Sequence, residues 1–188
     1  MTGKTDKTSV LVVDYGMGNI RSIRNALVRL GCEVTTSDRA EDILFADAII
    51  LPGVGAFEDG MKSLNNLGLV EPLTKLVLDE QKPILAICLG FQLLANESHE
   101  FGLHKGLGWI DAEVKKIDTK NSDLRVPHVG WNEINFSKNS FLFEGLENKS
   151  DCYFVHSYHL TCHDSEDVVG TTPYCGGFVS VINRKACY

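Results

Sequence analysis

Residues 83–92 read Pro-Ile-Leu-Ala-Ile-Cys-Leu-Gly-Phe-Gln, and this stretch decides the fold that we predict. Its apolar run is typical of a strand buried on both faces of a parallel sheet, and it ends at Cys88. Leu89 and Gly90 follow at once and a helical pattern begins, so the thiol should lie at the sheet edge. The first N–H groups of a helix favour the thiolate, which a free cysteine with a pKa of about 8.5 forms only partly at neutral pH. We therefore predict that Cys88 is a nucleophile.

The chain before this stretch repeats the alternation of strand and helix. Ser9–Val13 is an apolar run, and Asn19 can cap a helix that Gly31 ends. The remaining predicted elements of this half are strands at Cys32–Thr36, Ala48–Leu51 and Pro83–Ile87 and helices at Glu58–Leu64, Val70–Glu80 and Leu89–Asn96. This alternation predicts an α/β fold, with an open, mostly parallel sheet and helices on both faces.

The C-terminal half has a different character, with scarce helical periodicity and turn-rich connections. It contains four candidate strands, at Trp109–Ile117, Val129–Phe136, Asp151–Leu160 and Gly177–Asn183. We expect antiparallel strands here, as a ribbon or as a mixed sheet that extends the parallel core. Because no linker separates the halves, we predict one domain over residues 1–188.

Composition excludes several classes of function. The 188 residues are 44% hydrophobic and 23% charged, as in an ordinary globular protein, and the net charge of −7 argues against a nucleic-acid surface. The N-terminus has no apolar signal region, and no apolar run is long enough to cross a membrane. Six cysteines at irregular spacing, without C-x-x-C, indicate reduced thiols and a cytoplasmic location.

Three loops should meet at the carboxyl edge of the parallel sheet, where open α/β sheets place their sites. They are Asp14–Asn19, Pro52–Ala56 and Cys88–Gln92. The glycines of the second loop let a ligand approach the main chain, and its N–H groups could stabilise an oxyanion formed at Cys88. A tight strand-to-helix turn is the alternative. We favour the oxyanion role because the loop should lie next to a cysteine at a strand end.

Other patterns are weaker. Gly16-x-Gly18 suggests a dinucleotide fingerprint, but Arg21 stands where a third glycine is required. His128, in a strand with Trp131, could contact a ligand or a partner or simply lie half-buried. One further group could be taken for a metal site: Cys152, His156, His159, Cys162 and His163. We expect no metal there, because these residues lack the spacing of known ligand pairs.

Five segments together resemble the class I (triad) glutamine amidotransferases. They are residues 13–19, 51–57, 87–92, 127–132 and 153–158, which read Val-Asp-Tyr-Gly-Met-Gly-Asn, Leu-Pro-Gly-Val-Gly-Ala-Phe, Ile-Cys-Leu-Gly-Phe-Gln, Pro-His-Val-Gly-Trp-Asn and Tyr-Phe-Val-His-Ser-Tyr. The segments occur in family order and span nearly the whole chain. The third segment indicates the superfamily. The first and fourth are most similar to the glutaminase subunits of imidazole glycerol phosphate synthases.

The resemblance implies a flavodoxin-like core and a role for each matching residue. Cys88 would attack the side-chain carboxamide of glutamine without any cofactor. The other implied roles are oxyanion contacts from the backbone of Gly53, Val54, Gly55 and Leu89, glutamine contacts from Gln92, Ser157 and Tyr158, and partner contacts from Asn19, His128, Trp131 and Asn132. The ammonia would pass to a HisF-type (β/α)8-barrel cyclase subunit in histidine biosynthesis.

The sequence departs from the family in one respect. The family's catalytic His and Glu lie in a His-Pro-Glu segment near the C-terminus, and that tripeptide occurs nowhere in the 188 residues. We expect a last strand and helix to be missing, and little glutamine turnover from a chain that ends at Tyr188. Two other functions stay open: a paralogue that supplies ammonia for surface-polysaccharide sugars, and an inactive docking module. An esterase-like hydrolase would not explain Gln92 or the segment Pro127–Asn132.

Overall fold

The computed structural model describes residues 7–120, 122–136 and 140–188. These residues form two compact units. The first comprises the described residues up to Leu93 together with Cys187, and the second comprises Leu94–Ala186 together with Tyr188. The single domain expected over residues 1–188 stays a prediction. Within the described ranges, no helix has both the length and the apolar character that a membrane span requires.

A parallel sheet forms the centre of the first unit. In the described residues it has four strands: β1 (Ser9–Val13), β2 (Glu33–Ser37), β3 (Ala48–Leu51) and β4 (Ile84–Ala86). They lie in the order β2-β1-β3-β4, and each neighbouring pair is parallel. Ile84 also forms a parallel bridge with Cys187. This order confirms the predicted open parallel sheet.

Strands β1 and β3 are buried on both faces of this sheet. One face packs against helix α1 (Ile20–Arg29) through apolar side chains: Val10, Val12 and Ile50 from the sheet and Ile20, Ile23 and Leu27 from the helix. Leu11 and Ile49 alternate to the opposite face and are fully buried as well. Burial on both faces explains why these strands read as continuous apolar runs in the sequence.

The helices of the first unit follow their strands closely. After α1 they are α2 (Ala40–Ile43), α3 (Phe57–Asn66), α4 (Val70–Thr74) and α5 (Leu89–Leu93), and a π-helical turn, Lys75–Asp79, continues α4. The Asn19 side chain caps α1 by accepting the N–H of Ser22 at 3.3 Å, as the sequence predicts. Gly31 follows α1 at φ +86°, a conformation that glycine adopts freely.

The second unit is built from short strands. They are β5 (Glu97–Ser98), β6 (His104–Lys105), β7 (Ala112–Lys116), β8 (His128–Glu133), β9 (Asn135–Phe136), β10 (Asp151–His156), β11 (Tyr158–Cys162), β12 (Val168–Thr172) and β13 (Phe178–Ile182). Among the described residues, seven of them form one sheet in the order β6-β5-β7-β11-β13-β12-β9, and β8 pairs with β10 in an antiparallel ribbon. Between the described strands of this sheet the pairing is antiparallel except for β5 with β7, which run parallel.

The elements agree with the sequence predictions most closely in the first unit. Strands Ser9–Val13 and Ala48–Leu51 have the predicted bounds. The segment expected as one helix over Val70–Glu80 is α4 followed by the π-helical turn. In the second unit, the strand expected over Asp151–Leu160 divides at Ser157 into β10 and β11, and the strands form sheets of their own. The short elements α2, β5, β6 and β12 have no counterpart in the prediction.

Candidate active site

Cys88 lies at the junction between β4 and α5 and has a strained backbone. Its φ is +56°, a left-handed conformation that residues other than glycine seldom adopt. Such a turn between a strand and a helix holds a nucleophilic side chain out of the sheet edge. Cys88 is a free cysteine and is exposed. The predicted position of the thiol is therefore confirmed.

The protonation of this thiol differs from the expectation. Although Cys88 is exposed as a residue, the atoms packed around its sulfur partly exclude water and raise the pKa of the thiol above its ordinary value. The backbone N–H of Leu89 opposes the rise only in part. Helix α5 spans five residues, so its dipole is small compared with that of a longer helix. Cys88 is accordingly held as a thiol at neutral pH, and its ionisation needs further help.

Two glycines allow the loop after β3 to approach the turn at Cys88. A side chain at Gly90 would place its Cβ 2.0 Å from the carbonyl oxygen of Leu51, and one at Gly53 would place its Cβ 2.6 Å from the N atom of Gly90. The N–H of Leu89 donates to the carbonyl of Gly53 at 3.3 Å. The loop carrying Gly53, Val54 and Gly55 is thus in direct contact with the cysteine turn.

The turn after β1 packs on the same loop. The hydroxyl of Tyr15 donates to the carbonyl of Pro52 at 2.7 Å, and a Cβ added to Gly18 would meet the Pro52 ring at 3.1 Å. Tyr15 is fully buried, and burial together with the nearby Cys88 raises its pKa, so its hydroxyl stays a hydrogen-bond donor. The structure therefore confirms that the three predicted loops meet at one edge of the sheet.

Gln92 lies one helical turn beyond the cysteine. Its backbone N–H donates to the carbonyl of Cys88 at 3.1 Å, and its side chain is half-buried. A proton acceptor is harder to find in this unit. Residues 1–93 contain no histidine, so a histidine base for Cys88 has to come from outside the first unit.

Ser157 and Tyr158, expected to contact glutamine, belong to the second unit. Ser157 is the bend between β10 and β11, and its carbonyl accepts the N–H of Ile117 at 2.9 Å. Tyr158 begins β11, with its ring 6.3 Å from that of Phe101 in an edge-on arrangement. Both residues are half-buried.

A chain of polar side chains crosses the inner face of the ribbon in the second unit. His156 Nδ1 lies 2.9 Å from the carbonyl oxygen of Tyr158, and so carries the proton there. His156 Nε2 can then accept from Nδ1 of His128, at 2.9 Å. His128 Nε2 lies 3.4 Å from Nδ2 of Asn132. The bonds are mutually consistent when both imidazoles are neutral.

The surroundings of these histidines favour the neutral form. His128 is 3% exposed and stacks on the ring of Tyr174, with 3.8 Å between ring centroids. Burial, and next the neighbouring His156, lowers the pKa of His128, and burial also lowers the pKa of His156. The pair was not predicted. The two residues lie opposite each other in the pairing of β8 with β10, and the sequence does not show this until the register of the two strands is known.

The outer face of the ribbon is apolar and exposed. Four side chains share it by strand alternation: Val129 and Trp131 from β8, and Tyr153 and Val155 from β10. Trp131 is 72% exposed and meets Tyr153 edge-on, with 5.6 Å between ring centroids. His128 and Asn132 point to the other face, and Asn19 caps α1 in the first unit. Of the residues expected to face a partner, His128 and Asn132 therefore lie on a different face of the ribbon from Trp131.

Comparison with known sequences agrees with the resemblance to glutamine amidotransferases. The family model for glutamine amidotransferase class-I matches residues 11–185. The chain is 41% identical over 179 residues to subunit HisH 2 of imidazole glycerol phosphate synthase from Methanococcus maripaludis, covering 95% of this chain and 88% of the relative. It is 43% identical over 175 residues to the HisH subunit from Sulfurimonas denitrificans, covering 92% and 84%.

Solved structures share the fold at lower sequence identity. A crystal structure described as a glutamine amidotransferase superposes with a TM-score of 0.73 and 20% identity, over 95% of this chain and 86% of that chain. A glutamine amidotransferase from Thermotoga maritima gives a TM-score of 0.66 at 15% identity, over 96% and 73%. These likenesses support the α/β fold of the chain.

Proposed function

The chain belongs to the class-I glutamine amidotransferase family, and from that premise we propose that it is the glutaminase subunit of an imidazole glycerol phosphate synthase. Its substrate is glutamine, and the ammonia it releases is used by a HisF-type (β/α)8-barrel cyclase. The observation that carries the proposal is Cys88 in a strained turn against the Pro52–Ala56 loop. Relatives that are named HisH subunits align with more than nine tenths of the chain.

Cys88 supplies the chemistry. Its sulfur attacks the side-chain carboxamide carbon of glutamine, and collapse of the tetrahedral intermediate releases ammonia and leaves a thioester. Water then attacks the thioester and frees glutamate and the thiol. Gln92, Ser157 and Tyr158 are proposed to seat the glutamine.

The oxyanion of the tetrahedral intermediate needs N–H donors within about 3 Å. The proposed donors are the backbone of Gly53, Val54, Gly55 and Leu89. The N–H of Leu89 is bonded to the carbonyl of Gly53, so an oxyanion at Cys88 has to replace that carbonyl as its acceptor. Reaction therefore requires the peptide after Gly53 to rotate away from Leu89.

The proton of the thiol must also be removed. The pKa of Cys88 is raised by burial, so attack at neutral pH requires a general base. The first unit contains no histidine, so a histidine that serves as this base has to be supplied by residues outside that unit.

Delivery of ammonia explains the need for a partner. In bulk water at neutral pH most ammonia is protonated and is no longer a nucleophile, so the cyclase has to receive it directly. The outer face of the β8–β10 ribbon supports this assignment, because it exposes Trp131 and Tyr153 side by side. Exposed aromatic side chains of this kind are common anchors of protein interfaces.

Affinity labelling tests the proposal. A diazo-ketone analogue of glutamine should attach once per chain, at Cys88, and peptide mapping by mass spectrometry locates the adduct. Glutamine in excess should slow the labelling at least ten-fold, whereas asparagine should have no effect. Cys152, which is also exposed, provides the matched control, because its alkylation by iodoacetamide should not depend on glutamine.

Labelling at another residue, or equal protection by asparagine and glutamine, would refute the glutaminase assignment. The partner is tested separately by mixing the chain with a HisF-type cyclase. Stable complex formation in analytical ultracentrifugation supports the assignment, and its absence would exclude that cyclase as the partner.

A further inference from the structure

Ligand atoms from separate segments of the second unit converge at one surface. Four of the residues lie in or beside β5 and β7, and the fifth follows β11: Glu97, His99, Asp111, Glu113 and His163. We propose that Glu97, His99, Glu113 and His163 bind a divalent transition-metal ion of the zinc class. Neither the proposed glutaminase reaction nor the family resemblance involves this site.

The spacing of the first three residues fits a metal. The ligand atoms of Glu97, His99 and Glu113 all lie within 4.8 Å of one another. His99 Nε2 is 3.1 Å from Glu113 Oε2 and 3.5 Å from Glu97 Oε1. Metal–ligand bonds of about 2.0–2.2 Å in a tetrahedron place neighbouring ligand atoms about 3.3–3.6 Å apart. One ion therefore fits between these atoms after small side-chain adjustments.

His163 is the proposed fourth ligand: it lies outside the group of three and contacts Glu113 through Oε1, whereas His99 contacts Oε2. His163 Nε2 lies 3.5 Å from Glu113 Oε1, and its Nδ1 lies 3.1 Å from Oδ1 of Asp111. A metal-binding histidine typically donates its other N–H to a carboxylate, which fixes the ring and directs the remaining lone pair. Asp111 is held in turn by Nδ2 of Asn96, at 2.8 Å.

The local charge also favours a cation. Glu97 and Glu113 are direct neighbours in the parallel pairing of β5 and β7, where like charges repel. Glu113 is the least exposed member, at 17%, and its Oε1 contacts the ammonium of Lys115 at 2.5 Å. Lys115 therefore competes with a metal for that oxygen, and its removal should tighten metal binding.

The donor set indicates the kind of metal. Two imidazoles with two carboxylates suit zinc, cobalt or nickel, whereas magnesium and calcium prefer oxygen ligands alone. The ligands come from two neighbouring strands and from the segment after β11. A bound ion would tie these segments together and stabilise the fold of the second unit.

Cobalt(II) is the probe for the test, because its visible spectrum reports the ligands. The purified chain, freed of metal by a chelator, should bind one cobalt ion with d–d absorption. It should show no thiolate charge-transfer band, which separates this site from the six cysteines. Zinc should displace the cobalt and raise the temperature of thermal unfolding.

Substitutions at the proposed ligands and at Lys115 should change the affinity for cobalt in opposite directions. His99→Ala and Glu113→Gln should weaken cobalt binding at least ten-fold, and Asp111→Asn should weaken it about 10- to 100-fold by freeing His163. Lys115→Met should strengthen binding several-fold. Asp118→Asn, which changes an exposed carboxylate elsewhere in this unit, should have no effect. A thiolate band, or equal affinity in His99→Ala and the unmodified chain, would overturn the proposal.

Discussion

At the scale of single residues, Cys88 shows how strain is tied to reactivity. Its φ of +56° costs a residue with a side chain about 1–3 kcal/mol. The surrounding contacts hold this conformation, because Gly53 and Gly90 bring the backbone of two loops together around it. The strain serves to present the sulfur at the sheet edge.

Substitution of Cys88 tests this strain. We expect Cys88→Gly to have a free energy of unfolding about 1 kcal/mol higher than Cys88→Ala, because glycine adopts a positive φ without cost. Urea unfolding measures both variants, and the glycine variant should unfold at the higher urea concentration. Elsewhere in a strand or helix glycine is usually the less stable of the two. Greater stability of the alanine variant would show that the turn is relaxed.

Gly90 tests steric exclusion at the same turn. We expect Gly90→Ala to destabilise the protein by about 3 kcal/mol or more, because the new Cβ would overlap the carbonyl oxygen of Leu51. Gly31→Ala is the matched control. Gly31 has φ +86° and open space around its Cβ position, so its substitution should cost only about 1 kcal/mol. Urea unfolding measures both, and equal losses would contradict the steric argument.

The sequence predicted the position of Cys88 but not the protonation of its thiol. Position follows from local pattern, since an apolar strand and a helix must be joined there. The pKa depends on how much surrounding structure buries the sulfur and on the length of α5, which ends at Leu93. Neither quantity can be read from ten residues.

At the scale of elements, the β8–β10 ribbon has two faces with different tasks. Its inner face holds the neutral pair His128 and His156, and its outer face exposes Trp131 and its apolar neighbours. Strand alternation accounts for the separation. The sequence motif around His128 and Trp131 therefore combines a structural residue with a surface residue.

Replacement of Trp131 tests the outer face. We expect Trp131→Ala to weaken binding to the cyclase at least ten-fold, because the exposed indole is the largest apolar side chain of that face. The free energy of unfolding should change by less than about 0.5 kcal/mol, as is usual at exposed sites. Leu30→Ala, at a side chain that is 78% exposed in α1's C-terminal turn, is the control and should leave binding unchanged. Isothermal titration calorimetry measures the affinities, and unaltered binding by Trp131→Ala would exclude this face as the docking surface.

The strands that sequence analysis did not predict were missed for a common physical reason. Strands β5 and β6 have two residues each, too few to show any alternation of polar and apolar side chains. Strand β12 contains Gly170, which usually argues against a strand, but the side chains of Ile134 and Val181 pack so closely here that an added Cβ would lie 3.1 Å from each. Tertiary packing, which is absent from the local pattern, decides these cases.

At the scale of the whole molecule, stability should depend on pH through the buried histidines. Burial lowers the pKa values of His128, His156 and His159 in the folded state below the unfolded value of about 6.5. At these three residues the unfolded chain therefore binds more protons in this range, whereas the carboxylates of Asp111 and Glu113 raise the pKa of the exposed His163 and act in the opposite sense. Stability should be full above about pH 7 and should fall as the pH drops below 6.5.

Urea unfolding at pH 7.5 and pH 5.5 measures this effect. We expect a lower free energy of unfolding at pH 5.5, and a smaller difference in His128→Phe, which keeps a ring against Tyr174 but cannot take up a proton. The carboxylates with lowered pKa values, such as Asp42 and Asp47, lose their contribution only at lower pH. A difference that His128→Phe leaves unchanged would assign the effect to other groups.

The global arrangement also limits what a sequence reveals about sites. The three loops around Cys88 follow β1, β3 and β4, which are neighbours in the parallel sheet, so topology alone predicts that they meet. The proposed metal ligands come from positions 97, 99, 113 and 163 and meet only through the pairing of β5 with β7 and the segment after β11. No short sequence motif contains these four ligands, so the sequence alone does not predict the site.

The contact between Gly90 and Leu51 limits which changes codon 90 can tolerate. Every single-nucleotide missense change in a glycine codon introduces an amino acid with a Cβ, and the carbonyl oxygen 2.0 Å away leaves no room for one. In a saturation library sorted for folded, protease-resistant protein, codon 90 should therefore tolerate synonymous changes alone. Codon 31, which encodes a glycine in open surroundings, should accept asparagine as well.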